Sequence, residues 1–136
     1  MLGCITVGDE ICLVLEFCSN LDLHAFLKDL KVNKKELEED QKVVRKEFFI
    51  FAWQISHGLQ YLASQEIIHR NLTAKNILVD SEKNAKICDF GLAIHESQTN
   101  EFISTSDKRK LATKWLAIEC FENDEFSYKS DMQVFK

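Results

Sequence analysis

The chain of 136 residues contains no proline, whereas ordinary usage of about 5% would give about seven. It also has only four glycines, Gly3, Gly8, Gly58 and Gly91. Their spacing cannot form the G-x-G-x-x-G pattern of a phosphate-binding loop. A glycine-rich nucleotide loop is therefore excluded within these residues.

Basic residues are in the minority, with 17 Lys and Arg against 22 Asp and Glu. The formal net charge of -5 gives no basic surface for nucleic acid, which is therefore not an expected partner. The longest apolar runs, 11–15 and 48–53, are far shorter than the roughly 20 residues that cross a bilayer. No membrane segment is expected in this chain.

The cysteines form no C-x-x-C pair and no cluster with histidine that would suit zinc. We interpret them as reduced thiols, each most simply a small buried apolar residue, in a protein located in the cytoplasm. The five are Cys4, Cys12, Cys18, Cys88 and Cys120.

Local patterns in the first half of the chain predict two strands followed by two helices. Apolar runs at 5–7 and 11–17 flank Gly8 and predict a hairpin. An amphipathic helix is predicted over 21–30, and the charged stretch 31–47 is interpreted as a solvated connector. A second helix of about five turns is predicted from apolar residues at four-three spacing, which are Phe48, Ala52, Ile55, Leu59 and Leu62.

The second half predicts another hairpin, formed by the apolar runs 77–79 and 85–88. This hairpin would hold Asn76 and Asp89 at its two outer ends. The polar stretch 92–114 shows no sustained period and is interpreted as a mobile loop. Together these elements predict an α+β fold.

Several short motifs follow one another along the second half of the chain. They are, in order, His69-Arg70-Asn71 with Asn76, then Asp89-Phe90-Gly91, then Lys114-Trp115-Leu116-Ala117-Ile118-Glu119, and finally Ser130-Asp131. Their order and spacing resemble those of the protein kinase family. Any one triplet arises by chance, but the whole series in this order does not.

The resemblance is closest to receptor-type tyrosine kinases. The segment 61–65 looks like the end of their long C-lobe helix, and Lys75 stands where they carry Arg. Serine/threonine kinases usually have a Lys two residues after the catalytic Asp, whereas this chain has Thr73. Tyrosine-kinase ancestry is therefore favoured.

The resemblance implies ATP and Mg²⁺ as cofactors and a protein as substrate or signalling partner. Asn76 and Asp89 offer hard oxygen ligands for the metal. Arg70 and Lys75 belong to the catalytic loop, in which Asn71 occupies the position of the Asp that accepts the substrate hydroxyl's proton.

The resemblance also implies an adenine site on the segment between the two lobes. Leu15 would be the gatekeeper, Glu16 and Cys18 would offer backbone groups to adenine, and Leu78 would pack beneath the base. For Leu15 and Leu78, plain core packing is an equally compatible interpretation.

The resemblance extends over 1–136 and implies a partial kinase fold. Residues 1–18 would supply the end of the N-lobe sheet and the hinge, and 19–136 a mainly helical C-lobe up to the start of its central helix. The glycine-rich loop, the strand Lys and its Glu partner would lie before Met1.

Several positions depart from the family pattern. Asn71 can orient a hydroxyl through its carbonyl oxygen but cannot take up a proton near pH 7. Ile118 replaces a Pro, Gln133 replaces a Trp, and Leu21 stands where a Gly is usual. No Tyr lies between Asp89 and Glu119, so the acceptors left in that stretch are Ser104, Thr105 and Ser106.

These departures favour an ATP- and Mg²⁺-binding tyrosine-kinase-like domain with impaired phosphoryl transfer, either as a pseudokinase or as a fragment without independent function. The alternative is an active tyrosine kinase that transfers the γ-phosphate of ATP to protein tyrosine as part of a complete domain. A membrane receptor whose intracellular part includes this chain is compatible with both.

Overall fold

A computed structural model describes residues 2–8, 11–33, 38–98 and 111–133. The strands are β1 Gly3–Ile5, β2 Cys12–Val14, β3 Ile67–Ile68, β4 Ile77–Val79, β5 Ala85–Ile87 and β6 Ile94–His95. The helices are α1 Leu23–Asn33, α2 Glu38–Ser64, α3 Ile118–Glu122 and α4 Tyr128–Met132. Short 3₁₀ turns occupy Ala74–Asn76, Phe90–Leu92, Glu96–Gln98 and Thr113–Trp115. This mixture confirms the predicted α+β class.

The described strands form three antiparallel two-stranded ribbons, β1 with β2, β3 with β6, and β4 with β5. Both predicted hairpins are therefore confirmed. In the first, Ile5 lies opposite Cys12, so β1 ends where the sequence predicted a strand to begin. Gly8, which follows β1, has a φ of 105°, a conformation that favours glycine.

Helix α1 begins two residues later than predicted because Asp22 caps it. The Asp22 Oδ1 oxygen accepts a hydrogen bond of 2.9 Å from the Ala25 backbone N–H. Leu21 lies outside the helix with a φ of 63°, in the left-handed region. Its carbonyl accepts from the Val79 N–H at 2.9 Å, which holds the strained residue beside β4.

Helix α2 is much longer than predicted and includes most of the supposed connector. It starts at Glu38, and α1 extends to Asn33. The interpretation of 31–47 as a connector was therefore wrong over 31–33 and 38–47. In the sequence, Glu38 and Lys42 have the i, i+4 spacing of opposite charges that supports a helical turn. High charge density is therefore compatible with a continuous helix here.

The buried stripe of α2 also differs from the prediction at its start. Ile55, Leu59 and Leu62 are buried as expected, but Phe48 is 57% exposed and Ala52 is exposed as well. Phe51 is buried instead, because its ring packs edge to face on Phe26 of α1 with centroids 5.5 Å apart.

One hydrophobic core joins both long helices to the hairpin of β4 and β5. Its buried members are Leu23, Phe51, Ile55, Leu59, Leu62, Leu72, Ile77 and Val79. Gly58 allows α2 to approach β5 closely, since a Cβ there would lie 3.0 Å from Ile87 Cδ1. A smaller cluster of Ile68, Ala117, Cys120 and Phe126 lies under α3.

Two further expectations are corrected by the structure. The stretch 92–114 is not a structureless loop where it is described, since β6 pairs with β3 and turns occupy Glu96–Gln98 and Thr113–Trp115. Ser104, Thr105 and Ser106 lie outside the described residues.

All five cysteines are free, but Cys4 and Cys12 are exposed on the hairpin instead of buried. None of the helices in the described ranges is both long and apolar enough to cross a membrane.

The turn between β4 and β5 contains an acid-sensitive carboxylate. Asp80 accepts hydrogen bonds from the backbone N–H groups of Asn84 at 2.8 Å and Glu82 at 2.9 Å. These bonds, with those from the Asn84 and Lys86 side chains, lower the pKa of Asp80 to about 2.

We expect Asp80 to make the fold less stable in acid. Its pKa is below the unfolded value near 3.8, so its stabilisation is complete above about pH 4 and is lost as the pH falls towards 2. Thermal melts from pH 6 to pH 2 should show a smaller fall in Tm between pH 4 and 2 for Asp80→Asn than for the wild type. Equal slopes in that window would contradict this assignment.

Candidate active site

The loop that carries Arg70 and Asn71 is anchored from below by Asp131 of α4. The carboxylate accepts from the His69 backbone N–H at 2.7 Å and from the Arg70 backbone N–H at 3.0 Å. Burial raises the pKa of Asp131, and these two bonds oppose that shift. Helix α4 is itself capped by Ser127 and Ser130, which exchange reciprocal hydrogen bonds between side chain and backbone.

The ring of His69 connects this loop to the segment before Asp89. His69 is fully buried, and its Nδ1 accepts from the Asn71 backbone N–H at 3.2 Å. Because Nδ1 accepts, the proton lies on Nε2, which donates to the Cys88 carbonyl at 2.9 Å. The His69 ring also packs on the Phe90 ring with centroids 4.9 Å apart. Both loops of the site are thus tied to one imidazole ring.

Arg70 points into the protein from a strained backbone. It has a φ of 64° and is 8% exposed. Its Nε donates to the Leu92 carbonyl at 2.6 Å, and its guanidinium lies 5.5 Å from the centroid of the Phe126 ring. The positive charge therefore lies behind the loop and joins it to the residues after Gly91.

Hydrogen bonds join Asn71 to both Asn76 and Asp89. The Asn76 Nδ2 donates to the Asn71 carbonyl at 2.6 Å, and the Cys88 N–H donates to the Asn76 carbonyl at 2.9 Å. The side-chain Nδ2 of Asn71 donates to Asp89 Oδ2 at 2.9 Å. Asp89 itself has left-handed backbone angles, φ 62° and ψ 65°. The hairpin of β4 and β5 positions both expected metal ligands.

The donor set in this cluster suits Mg²⁺ delivered with phosphates. With Asn76 Nδ2 engaged by the loop carbonyl, the Oδ1 oxygen of Asn76 is left for a cation, and Asp89 offers a carboxylate. In the described ranges no three His, Cys, Asp or Glu residues cluster tightly enough to hold a metal. Mg²⁺ is commonly bound by one or two protein oxygens together with substrate phosphates and water, so the residues present fit it.

A cleft of about 720 Å³ opens between the first hairpin and the hairpin of β4 and β5. Leu15, Glu16, Cys18 and Leu78, the four predicted adenine-site residues, all line it. Asp89 and Gly91 line it as well, so the predicted adenine residues share one cavity with Asp89, whereas the other predicted metal ligand, Asn76, is not among its lining residues. A volume of this size is in the range of small-molecule sites.

Two residues of this cleft were missed by the sequence prediction. Lys86 lies opposite Leu78 in the hairpin register and forms ion pairs with Glu16 and with Asp80, the latter at 3.2 Å. The hydrogen bond that Lys86 donates to Glu16 raises the pKa of Lys86. Cys88 also lines the cleft, and burial raises the pKa of its thiol and of the Cys18 thiol. The only sequence signal for Lys86 was the alternation of side chains along the hairpin of β4 and β5, which places Lys86 opposite Leu78.

Lys75 is a predicted site residue that is not hydrogen-bonded to the other catalytic-loop residues in the described part of the chain. It is exposed on the Ala74–Asn76 turn, and within the described part of the chain no hydrogen bond joins it to Asn71, Asn76 or Asp89. Asp131, in contrast, was predicted only as part of a motif, whereas it supports the whole loop.

Comparison with known proteins gives matches along nearly the whole chain. A family model described as protein tyrosine and serine/threonine kinase matches residues 1–136. A Caenorhabditis elegans protein named as a tyrosine-protein kinase is 36% identical over 99% of the chain. Fibroblast growth factor receptor homolog 2 of Drosophila melanogaster is 33% identical over 97%, and the fibroblast growth factor receptor of Strongylocentrotus purpuratus is 33% identical over 99%. The chain spans only 16%, 14% and 14% of the lengths of these relatives.

Proposed function

Since this chain belongs to the protein tyrosine and serine/threonine kinase family and is similar to receptor tyrosine kinases, we propose that it binds ATP with Mg²⁺ but transfers phosphate poorly. The observation that carries the proposal is the shared cleft, which is lined by Leu15 and Cys18 and also by Asp89. Adenine would lie against the first group and the phosphates would extend towards Asp89.

The contacts around the cleft support this orientation. Glu16 and Cys18 lie two and four residues after the end of β2, and the Asn20 N–H donates to the Val79 carbonyl at 3.0 Å, which ties this segment to β4. Leu78 on β4 would therefore form the floor beneath the base. Asp89, which lines the cleft, would hold Mg²⁺ together with Asn76 Oδ1, and the metal neutralises phosphate charge when bound.

Asn71 is the residue that would limit phosphoryl transfer in the proposed enzyme. Its side-chain nitrogen is used by Asp89, so its carbonyl oxygen is the atom left for a substrate hydroxyl. An amide oxygen accepts a hydrogen bond from that hydroxyl but does not remove its proton near pH 7. We therefore propose that the loop orients a substrate without activating it.

The remaining parts of the function stay predictions. The acceptor would be a protein tyrosine, the partner a signalling protein, and the location the cytoplasm. The alternative of an active tyrosine kinase in a complete domain is favoured by one observation, the hydrogen bonds by which Asn71 contacts both proposed metal ligands, Asn76 and Asp89.

The proposal is tested by nucleotide binding to the 136-residue chain, measured by calorimetry with a non-hydrolysable ATP analogue in Mg²⁺ and in EDTA. We expect tighter binding in Mg²⁺, and we expect Asp89→Asn to weaken that binding at least tenfold while leaving binding in EDTA nearly unchanged. The physical reason is that the variant removes the carboxylate ligand but keeps its shape.

The matched control is Glu122→Gln, which removes one exposed carboxylate at the end of α3 and should bind like the wild type. Thermal melts of each variant exclude loss of folding as the cause. Binding that does not depend on Mg²⁺ or on Asp89 would contradict the metal site, and no binding in either buffer would contradict the proposal as a whole.

A further inference from the structure

Asn71 contacts both proposed metal ligands through different groups. Its backbone carbonyl accepts from Asn76 at 2.6 Å, and its side-chain nitrogen donates to Asp89 Oδ2 at 2.9 Å. Its own N–H donates to the buried ring of His69, which fixes the backbone. The side-chain amide is therefore held towards Asp89, between the loop and the segment that follows β5.

This contact depends on the side chain being an amide. An aspartate in the same conformation would place two carboxylate oxygens about as close as the present pair. Two such anions stay together only with a cation between them or with a shared proton. The amide of Asn71 supplies a hydrogen-bond donor instead, so the pair closes with no cation present.

We propose that Asn71 is a positioning residue that fixes Asp89 in the metal-free protein and competes with a divalent cation for the Oδ2 oxygen. The proposal rests on the proposed function, because it takes Asp89 as a metal ligand. Its consequence is a site that keeps its shape without metal and binds divalent cations more weakly than the same residues without the Asn71 amide.

The test is titration of the 136-residue chain with Mn²⁺, followed by the loss of the free-ion signal in electron paramagnetic resonance. Asn71→Ala and Asn71→Ser both remove the donor without adding charge, and each should bind Mn²⁺ about three- to tenfold more tightly than the wild type. Asn71→Asp adds a carboxylate ligand and should bind more tightly still, by more than tenfold.

A second readout separates this role from a merely structural one. In EDTA, Asn71→Ala should melt below the wild type, because Asp89 has lost its partner. Saturating Mn²⁺ should remove that difference, whereas a structural defect would persist at every Mn²⁺ concentration. Asn123→Ala and Asn123→Asp, at the exposed end of α3, make the same changes far along the chain from the site and should leave Mn²⁺ affinity unchanged.

The outcomes distinguish the two proposals. If no variant, Asn71→Asp included, binds Mn²⁺ in a manner that Asp89→Asn abolishes, the proposed metal site fails and this inference fails with it. If the wild type binds Mn²⁺ through Asp89 but Asn71→Ala and Asn71→Ser bind it equally or more weakly, only the competition by Asn71 is overturned.

Discussion

We expect Asn71→Asp to raise tyrosine-peptide phosphorylation by about 10²- to 10⁴-fold when residues 1–136 form part of a complete kinase domain. The substitution places a carboxylate where the substrate hydroxyl's proton must be accepted. It also removes the donor that now occupies Asp89 Oδ2 at 2.9 Å. The measurement is a steady-state assay with a tyrosine peptide, with kcat and KM determined separately.

The separate constants show whether the added carboxylate acts as a base. A base that acts only in the transition state raises kcat and leaves KM for the peptide nearly unchanged. Asn71→Ala serves as the first control, because it frees Asp89 without supplying a base and should not raise kcat. Asn123→Asp adds the same charge elsewhere and should leave both constants unchanged. A kcat for Asn71→Asp equal to that of the wild type would contradict the impaired-base interpretation.

The part of the site that could be predicted from sequence is the part built by local structure. The hairpin of β4 and β5 was evident from two short apolar runs, and its register places Asn76 and Asp89 at adjacent ends. The hydrogen bond from the Cys88 N–H to the Asn76 carbonyl follows directly from that pairing. Strand alternation and spacing were sufficient, because the partners are close along the chain.

The part that could not be predicted depends on residues far apart in sequence. The Lys86 ion pair with Glu16 joins residues 70 positions apart, and the Asp131 bonds to the loop span more than 60. No periodicity encodes such contacts. The start of α2 was missed for another reason, since its charged first turns resemble a loop when burial is the only signal considered.

Leu21 illustrates how a local rule fails under tertiary constraint. Its apolar character suggested a place on the buried stripe of α1, yet it is 64% exposed with a positive φ. The backbone at Leu21 is fixed by the hydrogen bond from the Val79 N–H to the Leu21 carbonyl and by the Asp22 cap of α1. The Leu21 side chain is exposed as a result. The resemblance to a family with Gly at this position was the better signal, since Gly adopts that conformation without strain.

The largest loss of stability is expected for Asp131→Ala. Asp131 is 5% exposed and accepts two backbone N–H groups, those of His69 and Arg70. Leaving two buried donors unsatisfied costs about 1–3 kcal/mol each, and the relieved burial of the carboxylate offsets part of that cost. We expect a loss of about 2–4 kcal/mol in the free energy of unfolding, measured by urea denaturation with far-UV circular dichroism.

Asp131→Asn separates the hydrogen bonds from the charge. The amide keeps one acceptor oxygen but turns its NH₂ towards the second backbone N–H, so we expect an intermediate loss of about 1–2 kcal/mol. Glu122→Ala removes an exposed carboxylate on the neighbouring helix and should stay within about 0.5 kcal/mol of the wild type.

Because α4 supports the loop from below, Asp131→Asn should also weaken Mg²⁺-dependent nucleotide binding at temperatures where the chain is still folded. Equal stabilities of Asp131→Ala and Glu122→Ala would show that the loop carrying Asn71 does not depend on this anchor.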